Sequence, residues 1–511
     1  MLQSKINSVA DLSAKKRALV AFIFGAISVM GLAPFFLWPL YIIAFSAFSL
    51  LLYYSQNKKQ AFWAGWSFGF GYFVFGLYWI SLALHVDWAM WWWLTPFAAI
   101  ALPAVLALYY GLASILTTYT KTNKLGFALG TAVIFSLFEY IRGWAFTGFP
   151  WNLPSYIWVD SPVGQNLSWL GAYGLNIFAF LTASLLGMAL VDKRYAYAPL
   201  VMLLLLYGFG AARTHNINQT FDGDKTILIV QPNIAQIEKW DKSKELQHFE
   251  KLLDLTRNGN TDYILWPETA LTVKKSAVPA LRTYLKDVVA TDQILFTGVT
   301  DARSTNEEFE FFFYNSMIGI NAESDIEWQY NKHHLVPFGE YVPFRKYLKF
   351  GGLAQTLSAT GDFKAGPGPQ SLKVDDDFSI SPLICYEIIF PGRVTAQGDR
   401  PDLLVNITND GWYLKSLGPY QHLAMARARA IETGIPVARA ANTGVSALID
   451  PYGQIVLQLA LQTDGTINSS VPHKIKAPIY FRYKEKIFWA LVFALMFIML
   501  IFKGGAGLKK G

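Results

Sequence analysis

The chain's single cysteine, Cys385, stands in ISPLICYEIIFPG, where an apolar run breaks into Tyr386, Glu387 and then a Pro-Gly pair. Two more polar clusters end apolar runs in the same way. ILWPE places Glu268 just past one run, and YNKHHLVPFGEY places Lys332 and Glu340 around a turn. A thiol at its ordinary pKa is mostly protonated, so a nucleophilic cysteine needs a base or a cation nearby. A carboxylate can take the proton, and an ammonium can hold first the thiolate and then the oxyanion of an acyl transfer. Each residue also has a plain structural reading. Cys385 fills the end of a buried strand as a small apolar side chain; Glu268 caps a helix after Pro267; Lys332 is a solvated loop charge; Glu340 and Glu387 accept structural hydrogen bonds. His333 and His334 have no carboxylate or cysteine at ligand spacing, so they read as loop histidines and no metal is expected.

Spacing alone brings none of these side chains together; strands must do so. From Arg213 to about Tyr483 charges become frequent and apolar runs shorten to strand length. KTILIVQ, DYILWPE, QILFTGVT, FSISPLIC, DLLVNIT, IPVARAA and VSALID read as strands, and KELQHFEKLLDLTR, VPALRTYLKDVVA and residues 420–433 as helices. Continuous apolar strands alternating with helices predict an α/β domain with a covered sheet. In such sheets sites form at strand ends, where Glu268, Lys332 and Cys385 fall.

The rest of the chain is membrane-like. With 53% hydrophobic, 16% aromatic and only 15% charged residues, the composition is too apolar for an ordinary globular protein. Apolar runs long enough to cross about 30 Å of hydrocarbon lie near 18–33, 36–54, 61–84, 89–118, 125–142, 166–191, 196–212 and 485–502, which predicts about eight spans. The first run leads through GLAPFFLWPLYII into the second without a small-residue cleavage site, so it reads as a span and not as a cleaved leader. Lys15, Lys16 and Arg17, Lys58 and Lys59, Lys121 and Lys124, and Lys193 and Arg194 all fall on one side if each run crosses once. The positive-inside rule then puts both termini in the cytoplasm and the α/β stretch outside it. The expected domains are 1–215 with seven helices, 216–483 as the extracytoplasmic α/β domain, and 484–511 as a last helix and tail. A net charge of +7 points to no nucleic-acid partner by its placement, and one cysteine excludes intramolecular disulfides.

The motifs KWD at 239–241, WPET at 266–269, KHHLVPFGEYVPFR at 332–345, ICYEIIFPG at 384–392 and NITNDGWY at 406–413 occur in this order between seven apolar runs and one more. On them the chain resembles the apolipoprotein N-acyltransferase family, whose catalytic domain belongs to the nitrilase superfamily. The resemblance covers essentially the whole chain. It implies an α-β-β-α sandwich on the periplasmic face of the bacterial inner membrane, held by a polytopic helical domain. It also implies transfer of a fatty acyl group from a phospholipid, typically phosphatidylethanolamine, to the α-amino group of the S-diacylglyceryl cysteine that begins an apolipoprotein. Carried over by motif, Cys385 is the nucleophile, Glu268 the general base and acid, and Lys332 the oxyanion partner. Glu340, Tyr386, Glu387 and Trp240 match supporting positions; Trp240 also reads simply as packing.

No cofactor is implied, and the chain is expected to act as a monomer. The segment VPFGEYVPFRKYLKFGGL interleaves Phe338, Tyr341, Phe344, Tyr347 and Phe350 with Arg345, Lys346 and Lys349, a pattern that suits a lipid interface or a core-packed loop with a solvated face. Glu139 and Arg142, three apart, suit a lipid-headgroup site or a local ion pair. Two rival functions use the same residues differently: a membrane-anchored carbon-nitrogen hydrolase (amidase) with water as second nucleophile, and a transporter or receptor carrying an inactive external domain. Anchoring needs one span, not eight, and an inactive domain has no need of Glu268, Lys332 and Cys385 together.

Overall fold

Each of the eight apolar runs forms a helix in the computed structural model, which describes residues 9–215, 224–257, 259–304, 311–343 and 363–507. The helices are Ala14–Ser28, Trp38–Tyr53, Lys58–Leu77, Thr95–Thr117, Lys124–Arg142, Leu167–Ala189, Tyr197–His215 and Lys486–Gly507. Among the described residues five helical stretches are long and apolar enough to cross a membrane: Lys58–Val86, Thr95–Thr120, Lys124–Arg142, Pro162–Ala189 and Lys193–His215. Trp38–Tyr53 and Lys486–Ile501 are shorter apolar helices. The fourth run forms one short helical turn, Trp88–Trp91, after the 3-10 stretch Tyr78–Asp87, and its long helix starts at Thr95, where Pro96 fits the first turn.

These helices pack closely because small residues face backbone. A Cβ on Gly25 would lie 2.0 Å from Phe68 O, and one on Gly71 2.2 Å from Phe22 O, so only glycine lets helices Ala14–Ser28 and Lys58–Leu77 meet. Phe45 fills the space between helices, with ring centroids 5.3 Å from Phe135 and 4.8 Å from Phe180. Glu139 and Arg142 form a fully buried ion pair, each 1% exposed. Arg142 also donates to Trp151 O at 2.9 Å and to Phe149 O, which ties the helix end to the chain segment that follows it.

Among the described residues the α/β region contains thirteen strands: β1 (Thr226–Gln231), β2 (Tyr263–Leu265), β3 (Leu271–Lys274), β4 (Ile294–Ser304), β5 (Phe311–Ile320), β6 (Ile326–Asn331), β7 (Leu372–Lys373), β8 (Ser379–Ile384), β9 (Leu403–Thr408), β10 (Val437–Ala441), β11 (Ala447–Ile449), β12 (Ile455–Gln458) and β13 (Gly465–Ser470). All seven strands read from the sequence form. They make two sheets, β13-β1-β2-β4-β5-β6 with β3 beside β4, and β12-β11-β10-β9-β8-β7. The central trios, β1-β2-β4 and β8-β9-β10, are parallel; β3 also runs parallel to β4, and the other outer strands are antiparallel.

Apolar residues from both sheets, among them Ile227, Leu265, Phe296, Ile384, Val405 and Ala438, share one buried core, so the sheets stack face to face. The other face of the first sheet is covered by Leu252 and Leu253 of helix Glu245–Thr256 and by Val278, Leu285 and Val289. The expected helix over VPALRTYLKDVVA is instead a 3-10 stretch, Lys275–Leu281, and one α turn, Arg282–Leu285; Pro279 inside it denies a backbone donor.

The chain folds as two compact units: Met1–Asn218, Ser416–Thr433 and Ala477–Gly511 form one, and Gln219–Lys415 with Gly434–Lys476 the other. The helix Gly418–Thr433, which joins β9 to β10, therefore groups with the apolar helices. Within that unit Gln421 accepts from the indoles of Trp79 and Trp151 at 3.1 and 2.8 Å, and Glu432 accepts from Ala172 N at 2.9 Å, where Gly171 breaks its helix.

Candidate active site

Cys385 directly follows β8 and opens the 3-10 turn Cys385–Ile389. Its φ of +51° lies in the left-handed region, a strained position that persists only where the surroundings enforce it. Glu387 supplies that constraint. One of its oxygens accepts from Ile384 N at 2.7 Å; the other accepts from His333 N at 2.7 Å, His334 N at 3.2 Å and the Tyr330 hydroxyl at 2.9 Å. Burial pushes the Glu387 acid up, but His333, the Ile384 amide and Lys332 outweigh it and hold the group below its ordinary value. The cysteine turn is thereby tied to the segment that leaves β6.

That segment begins with Lys332. Its side chain is 1% exposed, with Nζ 2.9 Å from both oxygens of Glu340 and 3.8 Å from Oε1 of Glu268. Burial alone would lower its pKa, but Glu340, then Glu268 and Cys385, outweigh burial and hold it above its ordinary value, so it stays an ammonium. Asn315, on β5, donates from one Nδ2 to both carboxylates, 2.8 Å to Glu268 and 2.9 Å to Glu340. Val336 N donates to the second oxygen of Glu340 at 2.8 Å.

Glu268 follows β2 by three residues and is 7% exposed. Its backbone reaches this place because Gly298 of β4 has no side chain: a Cβ there would lie 2.8 Å from Glu268 Cα. Its carbonyl accepts from the buried Nζ of Lys239 at 2.9 Å. Burial first, and the Glu268 charge second, push the Cys385 thiol above its ordinary value; Lys332 and a hydrogen bond with Thr408 pull the other way. The resting sulfur is therefore a neutral thiol. Behind it, Thr408 donates to Asp410 at 3.1 Å, and Asp410 pairs with Arg439 at 2.7 Å in a fully buried ion pair.

The structure brings Glu268, Lys332, Glu340 and Cys385 to one place, with Tyr386 and Glu387 in the cysteine turn. Tyr386, 5% exposed, meets the Phe390 ring edge-on at 5.1 Å; Phe390 lies 3.8 Å from His334, whose imidazole burial holds down at about 4. Trp240 stands apart, 57% exposed, while its neighbour Lys239 points inward. Of the aromatic and cationic segment, residues 344–350 lie outside the described residues, and Phe338 is 60% exposed.

Sequence reasoning missed Asn315, Lys239, Asp410 and Arg439. An asparagine in the aromatic strand FFFYNSMIGI and an arginine in the apolar strand VARAA were signals, since polar groups inside strands demand partners. A thiol, a carboxylate and an ammonium held together at strand ends can attack an acyl carbonyl, move the proton and stabilise the oxyanion.

Comparison with known proteins adds the family context. Residues 226–477 match the carbon-nitrogen hydrolase family, and residues 24–185 match the apolipoprotein N-acyltransferase N-terminal domain. Over 496 residues the chain is 36% identical to a protein of Brucella suis biovar 1 (strain 1330) named apolipoprotein N-acyltransferase, covering 92% of this chain and 93% of that one. It is 35% identical to a protein of the same name from Rickettsia prowazekii (strain Madrid E), covering 95% and 98%.

Proposed function

The chain belongs to the apolipoprotein N-acyltransferase family and is a membrane acyltransferase with a nitrilase-like α/β domain; we propose that it works through a thioester on Cys385, taking its acyl group from a phospholipid. The observation that carries this reading is the convergence of Glu268 and Lys332 on Cys385, all three buried. In the first half-reaction Glu268 removes the thiol proton as sulfur attacks the ester carbonyl. The proton must move with the attack, because the resting thiol is neutral. The tetrahedral oxyanion rests on the Lys332 ammonium and the Tyr386 backbone N–H. Collapse breaks the ester C–O bond, and protonated Glu268 returns the proton to the departing lysophospholipid oxygen.

In the second half-reaction an amine attacks the thioester, Glu268 takes its proton, the C–S bond breaks and the sulfur recovers the proton. Glu340 and Asn315 hold the base and the cation in register, and Glu387 holds the cysteine turn. The acceptor in this reading is the α-amino group of an S-diacylglyceryl cysteine at the start of an apolipoprotein, and the donor is phosphatidylethanolamine. The site lies on the periplasmic side of a bacterial inner membrane, both termini in the cytoplasm, and the chain acts as a monomer.

The carbon-nitrogen hydrolase match supports a second reading, an amidase that lets water take the second step. Purified protein incubated with phospholipid, and then with a diacylglyceryl-cysteinyl peptide, separates the two. N-acyl transfer yields lysophospholipid and a triacylated peptide; a hydrolase releases free fatty acid whether or not the peptide is present, and that result would overturn the proposal.

A further inference from the structure

Lys239 is a second buried lysine at the site, 4% exposed, and none of the steps above uses it. It sits on a strap that is fastened at three points. Ile234 exchanges backbone hydrogen bonds with the Asn442 side chain at 2.9 and 2.8 Å, Gln236 accepts from Asn409 at 2.6 Å, and Lys239 Nζ donates to Glu268 O at 2.9 Å. The inward residues of the strap are Ile234, Gln236 and Lys239; Ile237 and Trp240 are exposed. A neutral side-chain donor would satisfy a carbonyl, whereas an ammonium must be stripped of water to be buried there. The charge must therefore matter to its surroundings.

We propose that Lys239 is a positioning residue for the acyl transfer: it pins the main chain of Glu268 and adds a second positive charge to the Glu268–Cys385 pair. The proposal rests on the thioester reading above. The charges that face Lys239 are Glu268 and Cys385, each of which favours its protonated form, so by the same interactions the protonated lysine favours the ionised carboxylate and thiolate. On its own segment, Glu238 is engaged by Lys244, and Asp241 by Ser243. Burial brings the Lys239 ammonium down to about 8. Lys332 is held above its ordinary value, the Cys385 thiol is pushed up, and His334 stands at about 4, so Lys239 is the group among these that discharges as pH rises past neutrality.

Two quantities then move in opposite directions. A lysine whose folded pKa lies below its unfolded one binds fewer protons in the folded state, so its discharge makes folding more favourable as pH rises from about 8 toward ~10.4. The acylation rate falls over the same range. A residue that only braced the fold would make rate follow stability.

The test is single-turnover acylation of Cys385 in the full-length protein in detergent micelles. The donor is phosphatidylglycerol, whose headgroup carries no amine, and no acceptor peptide is present, since an α-amino group titrates near ~8 itself. Intact-mass analysis reads the rate across pH, with thermal unfolding alongside. Wild type should lose rate above pH 8 while its unfolding temperature rises. Lys239→Met should be slower by about tenfold near neutrality, the effect of one pKa unit, and flat with pH; Lys239→Arg should lose the basic limb because a guanidinium stays charged. A wild-type rate that stays level through the basic range, or a Lys239→Met protein as fast as wild type, would overturn the proposal. If Lys239→Arg does not fold, wild type and Lys239→Met decide it. A wild type that never acylates Cys385 would refute the thioester reading, and this one with it.

Discussion

Replacing Lys332 with alanine should damage catalysis and folding together, with a recognisable pH signature. The Lys332 ammonium lies 2.9 Å from Glu340 and 3.8 Å from Glu268, and these two carboxylates share one amide of Asn315. Without the cation two buried acids face each other. Breaking a buried pair in this way costs about 3–5 kcal/mol, unless one acid takes up a proton. Its folded pKa then lies above the unfolded value, so the stability it offers is present at low pH and lost as pH rises through the folded value. Lys332→Ala should therefore be closer to wild type in stability near pH 5 than near pH 8. The barrier to acylation should rise by roughly 2.7–4 kcal/mol, about 10²–10³ in rate, for the lost oxyanion donor. Lys332→Arg should recover little, because a planar guanidinium does not replace a compact ammonium in a closed site. Thermal unfolding at both pH values and single-turnover acylation read by intact mass provide the assay. A folded alanine variant that acylates Cys385 within tenfold of wild type would remove Lys332 from the mechanism, and a stability loss independent of pH would refute the paired-carboxylate argument.

Glu387→Gln turns one of the two accepting oxygens into an amide NH₂, set against either the Ile384 N–H or the three donors from Tyr330, His333 and His334, and should lower stability by about 1–3 kcal/mol through groups left unsatisfied, with acylation falling as the strained turn relaxes; unchanged melting and rate would contradict its role as the tie. Asn315→Leu should slow acylation by roughly tenfold or more, since hydrogen bonds to charged groups contribute about 1.5–3 kcal/mol each, and a wild-type rate would show that the shared amide is dispensable. In a Cys385→Ala background, Lys58→Cys and Lys193→Cys should be shielded from an impermeant maleimide added to whole spheroplasts while Asp287→Cys, exposed on the α/β unit, reacts. The reverse pattern would put the site on the wrong side for its acceptor.

Much of this was legible because the fold announces itself in local patterns. Runs such as TILIVQ and SISPLI carry apolar residues at both even and odd positions, as parallel strands buried on both faces do, and they form β1 and β8. The stretch VPALRTYLKDVVA misleads, since its apolar spacing suggests a helix while Pro279 holds it to a 3-10 stretch and one α turn. Likewise the helix Gly418–Thr433 lies between two strands in the sequence, yet its buried Arg429 and Glu432 belong with the apolar helices, a partnership no local periodicity records. At the site, Glu268, Lys332 and Cys385 were readable as residue types at strand ends. That Lys332 is closed in by two carboxylates, and that Lys239 rather than Trp240 reaches Glu268, depends on pairing between elements far apart in the chain.

The central claim is tested most directly by mass analysis of the protein incubated with phospholipid and no acceptor. Deprived of its second substrate, an enzyme of this kind stalls at the covalent intermediate, and exclusion of water slows its hydrolysis. The protein should gain one fatty acyl group, mapped by peptide analysis to Cys385, and should lose it to neutral hydroxylamine or to a diacylglyceryl-cysteinyl peptide that emerges triacylated. Cys385→Ala should give neither adduct nor transfer. An adduct on a hydroxyl or a lysine, or substantial transfer by Cys385→Ala, would contradict the account.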